Sequence, residues 1–282
     1  MKAKQKRNLI IMLGLAVVFL VGALLLGSNR EEESISEVMR DAVLHEHGKV
    51  NFLGIMEVNP ALYSAMIVSA ALLIFALIVR IFVIPKFKMV PGKFQMVLET
   101  WVGFFDGLAK TNSPHRNKFL GFYLFAAGSY IFTSTIYELF GLQVITTHGT
   151  PLAMPAPLSD INAAICMGVM SYCIIMSGGI AGNGASGIGK TLKDFSIPIS
   201  MSFRLFGALL SGLLVTELVY YTIKLSIVLP VVVAVLFTLI HALIQTYVLT
   251  FLTALFYGEV SEVHEKAPKE KKNKNVKEQA AA

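Results

Sequence analysis

Residues 227–258 read IVLPVVVAVLFTLIHALIQTYVLTFLTALFYG, and this apolar stretch decides the class of fold. A helix rises about 1.5 Å per residue, so these 32 residues would extend roughly 48 Å, whereas the hydrocarbon core of a bilayer is about 30 Å thick. Such a helix has to tilt strongly or protrude from the membrane. Residues 197–223, just before it, form a second overlong apolar stretch. Together the two predict a long, tilted helical hairpin.

The composition of the whole chain also indicates a membrane protein. Of 282 residues, 55% are hydrophobic and 15% are charged, and the mean hydropathy is +0.67. Soluble globular proteins carry about 25% charged residues. The chain therefore has too little polar surface for a water-soluble particle and too much apolar surface for a disordered protein. We predict an all-α polytopic membrane protein.

Four more segments are long and apolar enough to cross a bilayer, which gives about six crossings in total: residues 9–27, 61–79, 119–141 and 161–181. With the amino terminus inside, the inner segments hold 19 of the 24 Lys and Arg residues and the outer segments hold 4. This asymmetry follows the positive-inside rule, so both termini are predicted to be cytoplasmic. Residues 9–27 could alternatively be a cleaved signal peptide.

Residues 91–110 have an amphipathic pattern instead. Pro91 stands where a helix would begin, and Trp101 belongs to an apolar series at helical spacing, with Phe94, Val97, Leu98, Phe105 and Leu108. We predict an interfacial helix on the cytoplasmic side, anchored by Trp101. The chain then divides into an extra amino-terminal helix and external segment (1–58), a membrane domain (59–262) and a charged cytoplasmic tail (263–282).

A glycine-rich run at residues 178–191 matches two nucleotide-binding patterns. Residues 184–191, GASGIGKT, fit GxxxxGK[ST], and residues 182–187 fit GxGxxG. Both kinds of loop follow a β-strand, and the second also needs an acidic residue about 20 positions further on. This run follows an apolar helix of membrane length, so we interpret it as a flexible cytoplasmic loop. A membrane-bound, nucleotide-dependent enzyme stays as the alternative.

Ionisable residues inside the predicted hairpin are few: Arg204, Glu217 and His241, to which Gln245 adds a polar amide. A charge at the bilayer centre costs about 2.5–3.5 kcal/mol on insertion scales, so such residues face protein or a water-filled cavity. Arginine keeps its charge in proteins and lowers the pKa of a carboxylate that approaches it. The alternative role for Arg204 is snorkelling to the interface.

His241 and Gln245 are four residues apart and share a helix face. With Glu217 on the partner helix, they could pass protons, because His and Glu titrate and Gln can hold water. The alternative is an interhelical hydrogen bond worth about 0.6 kcal/mol. Asp160 and Asn162 could widen the polar path at the outer end of the 161–181 helix, although Asp160 also suits a helix N-cap.

Several separate motifs resemble subunit a of the membrane (Fo) sector of F-type ATP synthases. They occur in order between about residues 59 and 262: VPGKFQ at 90–95, SDIN at 159–162, Arg204-Leu-Phe-Gly207 after Pro198 and Ser200, and Gln245 before LTFLT at 249–253. The resemblance implies a non-catalytic stator subunit in a bacterial plasma membrane. It would lie beside a ring of c subunits and be held by the b subunits of the peripheral stalk.

The resemblance also implies roles for individual residues. Arg204 would be the charge gate between two aqueous half-channels, and Gln245 would be its neighbour. Asp160 and Asn162 would line the outer half-channel. The implied function is to carry protons to and from the c-ring carboxylates, and so to couple ion flow to rotation and ATP synthesis. No cofactor, metal ion or nucleic acid is expected.

Three positions depart from the family pattern. Ala208 replaces a common Asn, Leu213 replaces a relay carboxylate, and Thr238 replaces a His or Glu. Glu217 and His241, each about one turn away, are the predicted substitutes. The alternatives are the same role with Na⁺ as the coupling ion, and a secondary transporter that binds an anion at the intramembrane arginine. The second would predict inverted repeats, which the sequence does not show.

Overall fold

The computed structural model describes residues 14, 50–52, 56–145, 147, 151–221 and 229–262. Apart from Gly14, the predicted crossing at residues 9–27 lies outside this part of the chain, as does the predicted tail at 263–282. The described residues are mainly helical, as the sequence predicts. The remaining secondary structure consists of short turns and two small hairpins.

Seven α-helices follow one another along the described chain: α1 Pro60–Ile78, α2 Lys93–Asn112, α3 Asn117–Tyr137, α4 Ile161–Asn183, α5 Ala185–Lys193, α6 Ser196–Tyr221 and α7 Leu229–Ser261. Helix α1 continues through a π-helical turn, Val79–Val83, and a 3₁₀ turn, Ile84–Lys86. Two antiparallel hairpins pair β1 Val50–Phe52 with β2 Met56–Val58, and β3 Gln143–Ile145 with β4 Pro151–Ala153.

Four of these helical segments are long and apolar enough to cross a membrane: α1 with its extension, α3, α4 and α7. Helix α5 and the first part of α6 meet at a bend of 52° and make a fifth such segment if they are taken together. The chain is therefore an all-α polytopic membrane protein. The predicted overlong hairpin is present as α6 and α7, and α7 alone has 33 residues.

The first turns of α1 and α4 are capped and joined by two side chains. The Asn59 side chain accepts a hydrogen bond from the N–H of Ala61 at 3.0 Å, and Asp160 accepts one from the N–H of Asn162 at 2.7 Å. Asn59 Nδ2 also donates to Asp160 Oδ2 at 2.5 Å. Both residues thus satisfy N–H groups that have no partner within their own helix. The alternative N-cap role of Asp160 is confirmed.

The core lies between α3, α4, α6 and α7, and it fixes which face of α6 remains outside. Gly168 of α4 lies against Ser202 of α6, where an added methyl group would overlap the serine hydroxyl. Small residues permit this close helix approach, as is common in membrane proteins. One face of α6 is buried through Ile197, Met201, Ser202, Leu205 and Leu209. Its opposite face is exposed.

The predicted amphipathic helix is present as α2, and Trp101 lies in its contact with α3. The Trp101 indole N–H donates to Ser129 Oγ of α3 at 3.0 Å, and its ring contacts Phe105 and Phe132. Trp101 therefore belongs to the contact between α2 and α3, and its role as an interfacial anchor stays a prediction. Gly128 of α3 makes room for the Phe105 ring, which an added methyl group would overlap.

The prediction of a flexible loop at residues 178–191 is wrong, because residues 178–183 form the end of α4 and residues 185–191 lie in α5. Gly184, with φ +60°, ends α4 and starts the new helix. Gly187 then packs directly on Gly179, where a methyl group would overlap the Gly179 carbonyl. The Tyr172 hydroxyl donates to the carbonyl of Thr191 at 2.8 Å. This packing outweighs the low helix propensity of glycine.

Candidate functional site

The two long helices, α6 and α7, are joined at the level of Arg204. Gln245 of α7 is 3% exposed, and its Nε2 donates to the backbone carbonyl of Arg204 at 2.8 Å. A carbonyl oxygen has two lone pairs, so it can accept this bond as well as its helical one. The structure thus brings together the two residues that the sequence singles out first, through the backbone of one of them.

The side chain of Arg204 points away from this contact. It is exposed, and within the described ranges its guanidinium has no hydrogen-bond or ion-pair partner. Ser200, Phe203 and Gly207 share its exposed face of α6 at helical spacing. A Cβ added at Gly207 would have no heavy atom within 4 Å. Arg204 therefore presents a permanent positive charge beside open space.

A small cleft lies one helical turn from the contact between Arg204 and Gln245. The cleft has room for about one water molecule. Residues from three helical segments line it: Thr135, Glu138, Ala208, Leu209, Gly212, Phe237, Thr238 and His241. Ala208 is four residues after Arg204, and His241 is four residues before Gln245. Because α6 and α7 run antiparallel, both residues lie on the same side of the arginine.

The orientation of His241 in the cleft is set by its own helix. Its Nδ1 lies 3.0 Å from the carbonyl of Phe237, and its ring lies 4.1 Å from the Phe237 ring, centroid to centroid. A carbonyl can only accept, so Nδ1 carries a hydrogen in this contact. In the neutral ring, Nε2 then holds the lone pair that can receive a proton.

Glu138 is the cleft residue that sequence reasoning missed. It lies in the 3₁₀ turn, Glu138–Phe140, that follows α3, and its side chain is half-buried. The available signal was an acidic residue at the end of an apolar segment of membrane length. A carboxylate in such a place is rare and marks a functional position more often than a charge on a soluble surface does.

The backbones of Glu217 and His241 lie at different levels of the hairpin formed by α6 and α7. Gly212 faces Phe237, with 3.2 Å between an added Cβ and the ring, in the same register as the contact between Arg204 and Gln245. This register places His241 opposite Ala208. The backbone of Glu217 lies nine residues further along α6, which is about 13 Å. The side chain of Glu217 is not among those that the structure describes.

The remaining predicted residues lie at the start of α4. Both carboxylate oxygens of Asp160 are hydrogen-bonded, one to Asn59 and one to the N–H of Asn162. Asn162 is exposed. The turn just before them, Pro157–Ser159, contacts α1, α3, α4 and α6. Among the described residues, no group of three His, Cys, Asp or Glu side chains could hold a metal ion.

The residues that match the nucleotide-binding patterns lie almost entirely in helices α4 and α5 and do not form a phosphate-binding loop. The Thr191 hydroxyl donates to the carbonyl of Gly187 at 3.0 Å inside α5, and the residue is buried. A phosphate-binding loop instead needs an open run of backbone N–H groups between a strand and a helix. The contacts of Thr191 are those of a helical packing residue.

Fold and site together define a polytopic α-helical membrane protein with an arginine on the exposed face of a long helical hairpin, where no described residue pairs with its guanidinium. Residues 64–258 match the family model "ATP synthase A chain". The chain belongs to this family, that of subunit a of the F-type ATP synthase. It is similar to ATP synthase subunit a of Glaesserella parasuis serovar 5 (strain SH0165), with 28% identity over 154 residues. That alignment covers 46% of this chain and 59% of the relative.

Proposed function

We propose that this chain is the ion-translocating stator subunit of an F-type ATP synthase. It provides two half-channels that carry protons to and from the c-ring carboxylates, and so couples proton flow to rotation and ATP synthesis. It has no catalytic role of its own. The observation that carries this proposal is the exposed guanidinium of Arg204, on a helix inside the membrane domain, which pairs with no side chain among the described residues.

A fixed charge in this position needs an anion to offset its transfer from water. The described part of the chain supplies none to Arg204, and in this proposal another molecule supplies it. A carboxylate on a rotor helix fits, because Arg204 lies on an open face next to Gly207. The arginine keeps that carboxylate ionised and blocks direct proton passage between the half-channels.

The outer half-channel reaches this position through the cleft that Glu138 and His241 line. Both side chains titrate, and the small residues Ala208, Gly212 and Thr238 leave space for water between them. Asp160 and Asn162 form the outer rim, where the capped start of α4 holds the carboxylate in place. Glu217 extends the path further along α6. Gln245 holds the arginine backbone at the inner limit of the cleft.

The membrane context follows from the same proposal. The protein resides in a bacterial plasma membrane with both termini in the cytoplasm. Residues 59–262 form the domain that contacts the c-ring and the b subunits of the peripheral stalk, and residues 1–58 and 263–282 flank it. The coupling ion is H⁺. If uptake by the parent complex required sodium, the same role would hold with Na⁺ as the ion.

The test is ATP-driven proton uptake by inverted membrane vesicles, with Arg204→Ala compared with the parent. Arg80→Ala is the matched control, because Arg80 is exposed near the end of the α1 segment and away from the hairpin. Co-purification of the c-ring checks assembly in each sample. We expect Arg204→Ala to assemble and to lose both uptake and ATP synthesis, with the control unaffected. Normal uptake by an assembled Arg204→Ala complex would refute the proposed gate.

A further inference from the structure

The carboxyl-terminal end of α7 is held by two side chains that come from other parts of the fold. His115, in the turn between α2 and α3, places Nε2 3.1 Å from both the carbonyl and the hydroxyl oxygen of Ser261. Asn183, at the end of α4, donates from Nδ2 to the carbonyl of Val260 at 3.0 Å and to that of Glu262 at 2.8 Å. We call His115 and Asn183, with the three carbonyls that they bind, the α7 clasp.

The clasp satisfies a need that every helix end has. The last four carbonyls of a helix have no partner within it and need one from outside. The Ser261 hydroxyl donates its hydrogen to the carbonyl of Gly258 at 3.2 Å. The Ser261 hydroxyl oxygen and the Ser261 carbonyl oxygen therefore both act as acceptors toward the His115 imidazole. The His115 Nε2 therefore carries a hydrogen and donates to both.

Two glycines bring backbone against backbone at the clasp. A methyl group at Gly258 of α7 would overlap the carbonyl of Asn112, and one at Gly182 of α4 would overlap the carbonyl of Ser261. One turn earlier, a methyl group at Gly178 would lie 2.6 Å from the ring of Tyr257. The end of α7 is thus fixed along its axis by close contacts and in rotation by directional hydrogen bonds.

We propose that His115 and Asn183 are positioning residues, which set the height and rotation of α7 so that Gln245 meets the carbonyl of Arg204. Gln245 is 16 residues from Ser261 on one continuous helix, or about 24 Å. A helix transmits rotation along its length, and a shift by one residue turns a side chain by about 100°. The effect on transport rests on the proposed function, whereas the effect on register does not.

Two readouts test the clasp in the assembled complex. The first is ATP-driven proton uptake, normalised to the amount of co-purified c-ring. The second is disulfide formation between Gly212→Cys and Phe237→Cys, measured in a background where Cys166→Ser and Cys173→Ser remove the native thiols. In the parent, an added Cβ at Gly212 lies 3.2 Å from the Phe237 ring, so this pair reports the register of α6 against α7.

The variants separate positioning from simple loss of structure. The double variant His115→Ala with Asn183→Ala removes the clasp. His115→Gln retains an N–H donor of similar reach. Asn183→Asp keeps the side-chain volume but removes the N–H donor. If the double variant does not accumulate, proton uptake and disulfide yield are measured in Asn183→Asp instead. Asn117→Ala is the matched control, because the Asn117 amide binds only its own turn, at the carbonyl of Pro114.

We expect the double variant to lose uptake by roughly fivefold, because it removes both hydrogen-bonding side chains of the clasp, with a parallel drop in the yield of the 212–237 disulfide. His115→Gln should retain most of both, and Asn117→Ala all of both. Unchanged disulfide yield in the clasp variants, whatever happens to uptake, overturns the positioning role. Failure of the proposed function is seen separately, as normal uptake in Arg204→Ala with the disulfide result unaffected.

Discussion

Gln245 donates a hydrogen bond from Nε2 to the backbone carbonyl of Arg204, with 2.8 Å between the two atoms. The buried amide of one long helix thus holds the backbone of the other at the residue whose side chain extends outward. Because the bond uses the carbonyl and not the guanidinium, it fixes the position of the arginine and occupies none of the guanidinium N–H groups. A hydrogen bond to the guanidinium would instead compete with an incoming anion.

Removal of the Gln245 amide is therefore expected to weaken transport and not to abolish it. Gln245→Leu keeps the approximate volume but loses the donor. An interhelical hydrogen bond in a membrane is worth about 0.6–1 kcal/mol, so we expect proton uptake to fall by roughly three- to fivefold. Thr246→Val is the matched control, since the buried Thr246 hydroxyl makes no hydrogen bond in the described structure. Equal uptake by Gln245→Leu and the parent would contradict this prediction.

The cleft predicts that Glu138 matters more for proton entry than Glu217 does. Glu138 lines the same cleft as His241, whereas the backbone of Glu217 lies about 13 Å from the level of that histidine. We expect Glu138→Gln to lower proton uptake by about tenfold or more, a usual effect of removing a positioned proton-transfer group. Glu217→Gln should have a smaller effect. The reverse order would restore Glu217 as the main relay.

A double-mutant cycle tests whether Glu138 and His241 act on one path. If they do, the double variant Glu138→Gln with His241→Ala should be little worse than the more impaired single variant, because either change already interrupts the relay. Independent roles would instead make the two effects multiply. Uptake rates of the four vesicle preparations, normalised to c-ring content, give the coupling directly.

The helices could be predicted because the apolar or amphipathic pattern of each one lies within its own stretch of sequence. The apolar run at residues 61–79 became α1, and the amphipathic period of 91–110 became α2, shifted by two residues. Arg204 and Gln245 stood out because polar groups are rare in such segments. That the two are neighbours was implied by the resemblance to subunit a, whereas the use of the Arg204 carbonyl could not be foreseen.

What the sequence could not supply depends on contacts between distant segments. Glu138 gains its place in the cleft only because the end of α3 meets α6 and α7, which lie about 70–100 residues further on. The separation of the Glu217 and His241 backbones along the hairpin depends on its register, which local periodicity does not determine. Helix α5 forms in a glycine-rich run because Gly179 and Gly187 pack backbone to backbone. Propensity alone argues for a loop there.

Because there is open space beside Arg204, a larger side chain there should leave the chain at least as stable but lower proton uptake by the complex. A Cβ at Gly207 would touch nothing within 4 Å, and Leu has a higher helix propensity than Gly. We expect Gly207→Leu to melt at the parent temperature or above it, as purified chain. Proton uptake should fall severalfold, because the new side chain occupies the face that the rotor carboxylate passes. Gly103→Leu, equally open but on α2, is the control, and normal uptake by Gly207→Leu would place the rotor elsewhere.

The contact between α2 and α3 predicts a stability effect that the single tryptophan can report. An added methyl group at Gly128 would overlap the Phe105 ring, and overpacking of this kind costs about 1–3 kcal/mol. Gly128→Ala should therefore lower the melting temperature of the purified chain. It should also shift Trp101 emission to the red, because Trp101 packs on Phe105. Phe105→Leu in the same chain should restore part of the loss, since it removes the overlapping ring atoms. If Gly128→Ala melts like the parent, α2 does not pack on α3 as described.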